Sequence, residues 1–194
     1  MQSGFFAMLS RMKYISRWAL MRNTERESLS EHSLETAMIA HVLAVLRNRR
    51  FGGNVDPAGA ALAALYHDVP EILVGDVPTP VKYHSIELRA EFGKVEQAAG
   101  DRLLAMLPED LRDEYEPLLK ETYSDEIRQL VKAADKLSAL IKCIEERKAG
   151  NMEFINAEQS TLDAVRKMNL PEVDVFLADY LPGYSLTIDE LGRL

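Results

Sequence analysis

Apolar residues recur at helical spacing along nearly all of the 194 residues, and no segment alternates as a half-buried strand does. Helices that have no sheet to cover must bury their apolar stripes against one another, so the pattern predicts an all-α fold. A domain usually has about 100–200 residues, which favours one domain. We therefore expect a single helical bundle over residues 1–194, with its core at about 28–150, an N-terminal segment 1–27 and C-terminal helices 151–194.

Capping residues predict where the second helix begins. The stretch Ser28-Leu29-Ser30-Glu31 fits a capping box, in which a serine hydroxyl and a glutamate satisfy free backbone donors at a helix start. The helix that follows is expected to end near Arg50. Its predicted apolar stripe consists of Leu34, Met38, His41, Val42 and Val45.

A third helix is predicted after Asp56-Pro57, an N-cap acid followed by proline at the first helical position. Because residues 58–66 are apolar on every side, we expect this helix at the buried centre of the fold. Pro70 lacks an amide donor and should end the helix just after His67-Asp68. The prolines and glycine of residues 75–80 predict a stiff loop.

The remaining pattern predicts a short amphipathic helix at the N-terminus and longer helices towards the C-terminus. These helices are expected at about residues 5–12, 85–106, 124–149, 152–168 and 171–181.

Composition excludes several classes of protein. Hydrophobic residues make up 47% and charged residues 28%, as in ordinary globular chains. Cys143 is the only cysteine, which excludes an intrachain disulfide framework and a cysteine-based zinc cluster. Basic residues interrupt the apolar residues near the N-terminus, and no apolar run reaches about 20 residues. We expect a cytoplasmic protein without a membrane partner.

Charge is distributed unevenly along the chain. The net charge of −8 disfavours binding to a nucleic acid polymer. Residues 11–26, however, carry five basic side chains and one acidic side chain. A solvated face is the ordinary explanation of such a segment, and a small phosphorylated ligand nearby would be the functional one.

Two histidines and two aspartates are candidate metal ligands: His32, His67, Asp68 and Asp135. Pro70 places the His67-Asp68 pair at a helix end, where both side chains can reach one ion beside the helix. Asp135 borders the inward face of its helix, and a buried carboxylate needs a partner. His41 and His84 are interpreted as structural, since a lone histidine is seldom a ligand.

A mixed set of imidazole and carboxylate ligands suits Mn²⁺, Co²⁺, Fe²⁺, Ni²⁺ or Zn²⁺. Four protein ligands leave octahedral positions open for water and phosphate. A bound divalent ion lowers the pKa of water and polarises a phosphoryl oxygen. Glu71 follows His67 by four residues, so a continued helical turn would place it on the metal side.

The order His32, His67-Asp68, Asp135 on a helical chain resembles the HD-domain superfamily of metal-dependent phosphohydrolases. The flanking motifs look like those of its bacterial 5′-deoxynucleotidases. These motifs are Ser16-Arg17-Trp18, Leu20-Met21-Arg22-Asn23, Ser30-Glu31-His32-Ser33-Leu34, Tyr66-His67-Asp68-Val69-Pro70-Glu71 and Gly75-Asp76-Val77-Pro78-Thr79-Pro80-Val81-Lys82-Tyr83. The similarity covers nearly the whole chain and implies an HD-domain helical bundle.

The resemblance implies a 5′-deoxynucleotidase that selects against ribonucleotides and forms a homodimer. One divalent ion, Co²⁺, Mn²⁺ or similar, would be held by the four candidate ligands. Glu71 would assist proton transfer to the sugar oxygen, Arg17 would orient phosphate, and Trp18 would press against C2′ of the sugar. Asp76 would accept from the 3′-hydroxyl beside a stiff wall. The expected substrate contacts are Arg17, Trp18, Asp68, Asp76, Val77, Pro78 and Thr79.

Two alternatives stay open at the level of sequence. One is another HD enzyme that acts on a nucleoside triphosphate or an alarmone, which the few basic residues make less favourable. The other is a non-catalytic nucleotide-sensing module that keeps the metal for stability. A pure binding module has no need of a proton donor such as Glu71.

Overall fold

Two long helices, α2 (Leu29–Phe51) and α8 (Asp125–Lys148), pack against each other and against α3 (Pro57–Tyr66) to form the centre of the molecule. The computed structural model describes residues 2–82 and 84–193, without the side chain of Thr79. Within this range the regular structure is helical, apart from an isolated antiparallel bridge between Ser16 and Ser28. The predicted all-α fold is confirmed.

The other helices surround these three. They are α1 (Phe5–Leu9), α4 (Glu71–Val74), α5 (Thr79–Lys82), α6 (Ile86–Leu104), α7 (Glu109–Leu119), α9 (Ile155–Arg166), α10 (Pro171–Val175) and α11 (Ile188–Leu191). Short 3₁₀ turns lie at Ser10–Tyr14, Met152–Phe154 and Leu181–Ser185, and a π turn lies at Phe176–Tyr180. No helix in the described ranges is both long and apolar enough to cross a membrane.

The predicted helix starts are confirmed where capping side chains set them. The Ser28 hydroxyl accepts from the Glu31 amide, and the Glu31 carboxylate accepts from the Ser28 amide at 2.7 Å. Asp56 accepts from the Ala58 amide at 3.0 Å, with Pro57 at the first position of α3. Local chemistry therefore fixes these boundaries, because the interacting groups are close in sequence.

The predicted burial of α2 and α3 is partly wrong. Leu34 and Met38 of the expected α2 stripe are 56% and 60% exposed. On α3, Leu62 and Leu65 are exposed, whereas the buried positions are alanines. Small side chains therefore make up the buried face of α3, and its larger ones lie on the outside.

Two further expectations are corrected. The stiff loop predicted at 75–80 ends early, because α5 begins at Thr79 with Pro80 in its first turn, where a missing amide costs no intrahelical bond. The helix α7 was not predicted at all. Its acid-rich sequence and its internal Pro117 obscure the helical signal.

Two clusters of buried side chains meet at the turn after α3. The first cluster joins α2, α3 and α8, and includes Ala64. The second lies beneath the N-terminal segment, where Phe5 is fully buried, and includes Val69. Residues 67–70 thus connect the two clusters, which holds the His67-Asp68 pair rigidly at their junction.

A buried ion pair fastens α10 to α2. The Arg47 guanidinium donates to Glu172, whose carboxylate is only 1% exposed. A second pair, Arg50 with Asp179, joins the same part of α2 to the C-terminal region, but both of its side chains are about half exposed. The two ion pairs therefore allow the effect of a buried pair on stability to be compared with that of an exposed pair.

We expect Arg47→Met to lower the free energy of unfolding by about 3–5 kcal/mol, because it leaves the Glu172 carboxylate buried without a partner. The control, Arg50→Met, should cost about 0–1 kcal/mol. Urea denaturation followed by circular dichroism measures both values. Equal effects of the two substitutions would contradict the special role given to the buried pair.

Candidate metal centre

The four predicted ligands come together from three separate elements. His32 lies near the start of α2, His67 and Asp68 in the turn after α3, and Asp135 in the middle of α8. One ligand atom from each residue lies within 4.8 Å of all the others. The closest approaches are 3.0 Å between His67 Nε2 and Asp68 Oδ2, and 3.3 Å between His32 Nε2 and Asp135 Oδ1.

Both imidazoles are fixed in the same tautomer by contacts at Nδ1. His67 Nδ1 lies 2.6 Å from the Ala64 carbonyl oxygen, which can only accept. His32 Nδ1 lies 3.1 Å from the Ser138 hydroxyl, and this hydroxyl donates in turn to Glu35 at 2.6 Å. In its neutral form each ring therefore donates from Nδ1 and presents the lone pair of Nε2 to the cluster, as in metal-binding histidines.

The donor set fits a divalent cation. His67 Nε2 is buried and has no hydrogen-bond partner within the described residues, although it faces carboxylate oxygens. Burial of His67 disfavours its charged form, but the nearby carboxylate of Asp68 outweighs this effect and raises the pKa of His67 to about 9. Two anionic oxygens and two imidazole nitrogens would neutralise and ligate one such ion.

Arg17 lies beside the cluster, with its guanidinium near the carboxylates of Asp68 and Glu27. Its Nη1 is 3.6 Å from Asp68 Oδ2, and its Nε is 3.6 Å from Glu27 Oε2. Nε is buried and makes no hydrogen bond to any group that the structure describes. Burial opposes the charge of Arg17, yet the surrounding carboxylates raise its pKa further, so the side chain stays cationic.

Trp18 has a strained backbone. Its φ of 58° lies in the left-handed region, which bulky residues rarely adopt. The indole packs on Phe154 with ring centroids 5.3 Å apart, and its Nε1 donates to Glu27 Oε2 at 2.7 Å. Such conformations persist only where neighbouring contacts determine them, and they are common at functional sites.

A cavity of about 630 Å³ opens beside Asp135. Of the expected substrate contacts, Arg17, Trp18, Asp76 and Pro78 line this cavity, whereas Asp68 does not. Val77, although described, does not line this cavity. The side chain of Thr79, another expected contact, lies outside the described part of the chain.

A second cavity, of about 400 Å³, borders the cluster at His67 and Asp68 and is lined by Glu71 and Lys82 among others. Glu71 is 8% exposed, and its Oε2 has no hydrogen-bond partner among the described groups. Burial, reinforced by the carboxylates of Asp68 and Asp76, raises the pKa of Glu71 to about 9. Its carboxyl group is therefore protonated at neutral pH.

His41 and His84 are exposed and lie outside the ligand cluster. Glu27, Glu35 and Ser138, which contact the cluster residues, were not predicted as functional. A signal existed for two of them, because Glu35 and Ser138 each follow a predicted ligand by three residues and so share its helix face. Glu27 does not lie three residues after a predicted ligand, so no such signal existed for it.

Comparison with known proteins gives consistent matches. A family model described as 5′-deoxynucleotidase YfbR-like matches residues 4–184. The 5′-deoxynucleotidase YfbR of Shigella flexneri serotype 5b is 49% identical over 196 residues, which covers 99% of this chain and 97% of that protein.

Solved structures agree. An HD-domain phosphohydrolase from Listeria innocua superposes with a TM-score of 0.82 at 27% identity, covering 93% of this chain and 87% of that one. The cyanophage S-2L HD phosphohydrolase DatZ, solved with dA and one catalytic Zn²⁺ ion, has a TM-score of 0.66 at 18% identity. The match covers 91% of this chain and 96% of the DatZ chain. At this identity the likeness shows the fold alone.

Proposed function

The chain belongs to the 5′-deoxynucleotidase YfbR-like family, with an all-α HD fold, and from this membership we propose that it hydrolyses deoxyribonucleoside 5′-monophosphates to a deoxyribonucleoside and phosphate. The observation that carries the proposal is the cluster of His32, His67, Asp68 and Asp135, with both imidazoles presenting Nε2 to one point. These four residues would hold one divalent cation, such as Co²⁺ or Mn²⁺.

The chain's own groups have distinct roles in this proposal. A bound cation would polarise the phosphoryl group and make water more acidic. Arg17, which lines the cavity beside Asp135, would bind the phosphate oxygens through its guanidinium donors. Glu71 would donate its proton to the sugar oxygen as the ester bond breaks, and its high pKa supports this role.

Sugar recognition is assigned to the cavity beside Asp135. Trp18 would lie against C2′, where a 2′-hydroxyl would clash with the ring, and Asp76 would accept from the 3′-hydroxyl. Both side chains line the cavity together with Pro78. We keep Asp68, Val77 and Thr79 as further proposed contacts. Residues 1–27 would thus supply phosphate and sugar contacts to a core at about 28–150, with helices 151–194 beside it, as parts of one domain.

We also propose that the protein is a cytoplasmic homodimer. The lone thiol, Cys143, is buried and free, as expected in a reducing compartment. Leu34 and Met38 are exposed apolar side chains one turn apart on α2, and a second copy of the chain could cover them. Light scattering should give a mass of about twice the 21.9 kDa of the chain, and a monomeric mass would contradict the dimer.

We expect the purified protein to hydrolyse dAMP with Co²⁺ or Mn²⁺, to lose activity on chelation, and to hydrolyse AMP poorly. Trp18→Ala should lower the ratio of kcat/KM for dAMP over AMP by about tenfold or more, because the clash with the 2′-hydroxyl disappears. Tyr14→Ala, at an exposed aromatic residue nearby in sequence, is the control.

Equal hydrolysis of AMP and dAMP by the unmodified protein would contradict sugar selection. Release of pyrophosphate or triphosphate from dATP would favour the alternative of a triphosphate-hydrolysing HD enzyme. No turnover of any nucleotide would favour the sensing module.

A further inference from the structure

Glu27 makes three contacts with groups assigned to the active site, although nothing in its sequence position indicates a role. Its Oε2 accepts the indole hydrogen of Trp18 at 2.7 Å and lies 3.6 Å from Nε of Arg17. Its Oε1 lies 3.7 Å from Nδ1 of His32. The side chain is only 11% exposed, so these contacts take place in a largely water-free environment.

The backbone holds Glu27 opposite Arg17. The Arg17 amide donates to the Glu27 carbonyl at 3.0 Å, and the Leu29 amide donates to the Ile15 carbonyl at 2.9 Å. Together with the bridge between Ser16 and Ser28, these bonds form a short antiparallel pair. The carboxylate of Glu27 is therefore fixed at the base of the loop of residues 18–26, next to the first loop residue.

Trp18 needs such a fixed partner. Its left-handed backbone is strained, and neighbouring contacts must offset this strain. Packing on Phe154 restrains one face of the ring, but an aromatic contact alone leaves the rotation of the indole in its plane weakly determined. The bond from Nε1 to Glu27 fixes that rotation, and with it the ring edge that lines the cavity.

The C-terminal part of the same loop has a separate anchor on α8. Glu146, which is 1% exposed, accepts from the amide of Thr24 at 2.9 Å and from its hydroxyl at 2.7 Å. Lys142 donates to Glu146 at 2.5 Å and to the Glu25 carbonyl at 2.6 Å. Loss of the Glu27 side chain would therefore leave the loop attached to α8 and change only its base.

We propose that Glu27 is a positioning residue that determines sugar selectivity, since one oxygen holds the Trp18 indole against the cavity and the negative charge keeps Arg17 directed at phosphate. This inference rests on the proposed function. The two effects are separable, because the indole needs only a hydrogen-bond acceptor, whereas the guanidinium responds to charge.

Two substitutions distinguish the effects. Glu27→Gln keeps a neutral acceptor for the indole and removes the charge beside Arg17. Glu27→Leu removes both the acceptor and the charge. Glu25→Gln and Glu25→Leu are matched controls, because Glu25 is an exposed residue of the same loop.

Trp18 is the only tryptophan in the chain, so intrinsic fluorescence reports on its indole without any substrate. We expect Glu27→Leu to shift the emission to longer wavelength, to increase quenching by acrylamide, and to lower the dAMP over AMP ratio of kcat/KM by about tenfold. Glu27→Gln should keep the wild-type emission and ratio, but raise KM for dAMP by about tenfold. Thermal unfolding checks that each variant is folded.

Wild-type fluorescence and selectivity in a folded Glu27→Leu protein would overturn the inference. If that variant does not fold, Glu27→Gln decides, and an unchanged KM would overturn the part assigned to charge. Should the unmodified protein hydrolyse no deoxynucleotide, the proposed function fails, while the fluorescence of the two variants still tests whether Glu27 positions the indole.

Discussion

Replacing Asp68 by asparagine is expected to reduce dAMP hydrolysis by about a thousandfold or more, and to lower the bound metal from about one ion per chain to below a tenth of that. Asp68 Oδ2 lies close to both imidazoles of the cluster and to the Arg17 guanidinium. It lies 3.0 Å from His67 Nε2, 3.5 Å from His32 Nε2 and 3.6 Å from Arg17 Nη1. An amide is a weak ligand and carries no charge, so both the ion and the cationic Arg17 lose their common partner.

Metal analysis after purification and dialysis measures the first effect, and the initial rate of phosphate release measures the second. Asp113→Asn is a suitable control, because Asp113 is an exposed aspartate on α7 outside the cluster. If Asp68→Asn kept both its metal and its turnover, the four residues would not be the metal site, and the proposed chemistry would lose its basis.

Glu71→Gln should lower kcat by about 10²–10⁴-fold while leaving the metal content near that of the unmodified protein. Glutamine has the size of a protonated glutamic acid and fits the same buried position, but it has no acidic proton to give to the leaving sugar oxygen. A fall in kcat with the metal retained would separate proton transfer from metal binding. Glu91→Gln, at an exposed glutamate of α6, provides the control.

The pH dependence gives a second measurement of the same role. Burial and the neighbouring acids raise the pKa of Glu71 to about 9, and a general acid works only in its protonated form. The kcat of the unmodified enzyme should therefore hold at neutral pH and fall as pH rises through about 9. This alkaline decline should disappear in Glu71→Gln. Full turnover by that variant would assign the proton to another group.

Features set by neighbouring residues in sequence could be predicted well. The capping box, the N-cap aspartate and the prolines predicted the starts of α2 and α3 and the break before α4, because these signals act within one turn. The family resemblance read from the motifs is confirmed, and the four candidate ligands do meet. The order of these four residues along the chain was the basis of that prediction.

Features set by packing between distant segments could not be predicted in the same way. The exposed positions of Leu34 and Leu62 depend on which faces of α2 and α3 meet, and periodicity alone does not decide this. Glu27 acquires its contacts only because two irregular segments pair. Its sequence neighbours do not show that Arg17 will lie opposite.

Asp135 and Glu146 both lie on α8, eleven residues apart, which is close to three full turns. The stretch of helix between them, about 16.5 Å long, therefore fixes the distance between a candidate metal ligand and the anchor of the Trp18 loop. Adding or deleting a single residue between them would rotate the two side chains about 100° relative to each other. Relatives that keep both functions must therefore conserve the number of residues in this interval, even where the amino acids themselves change.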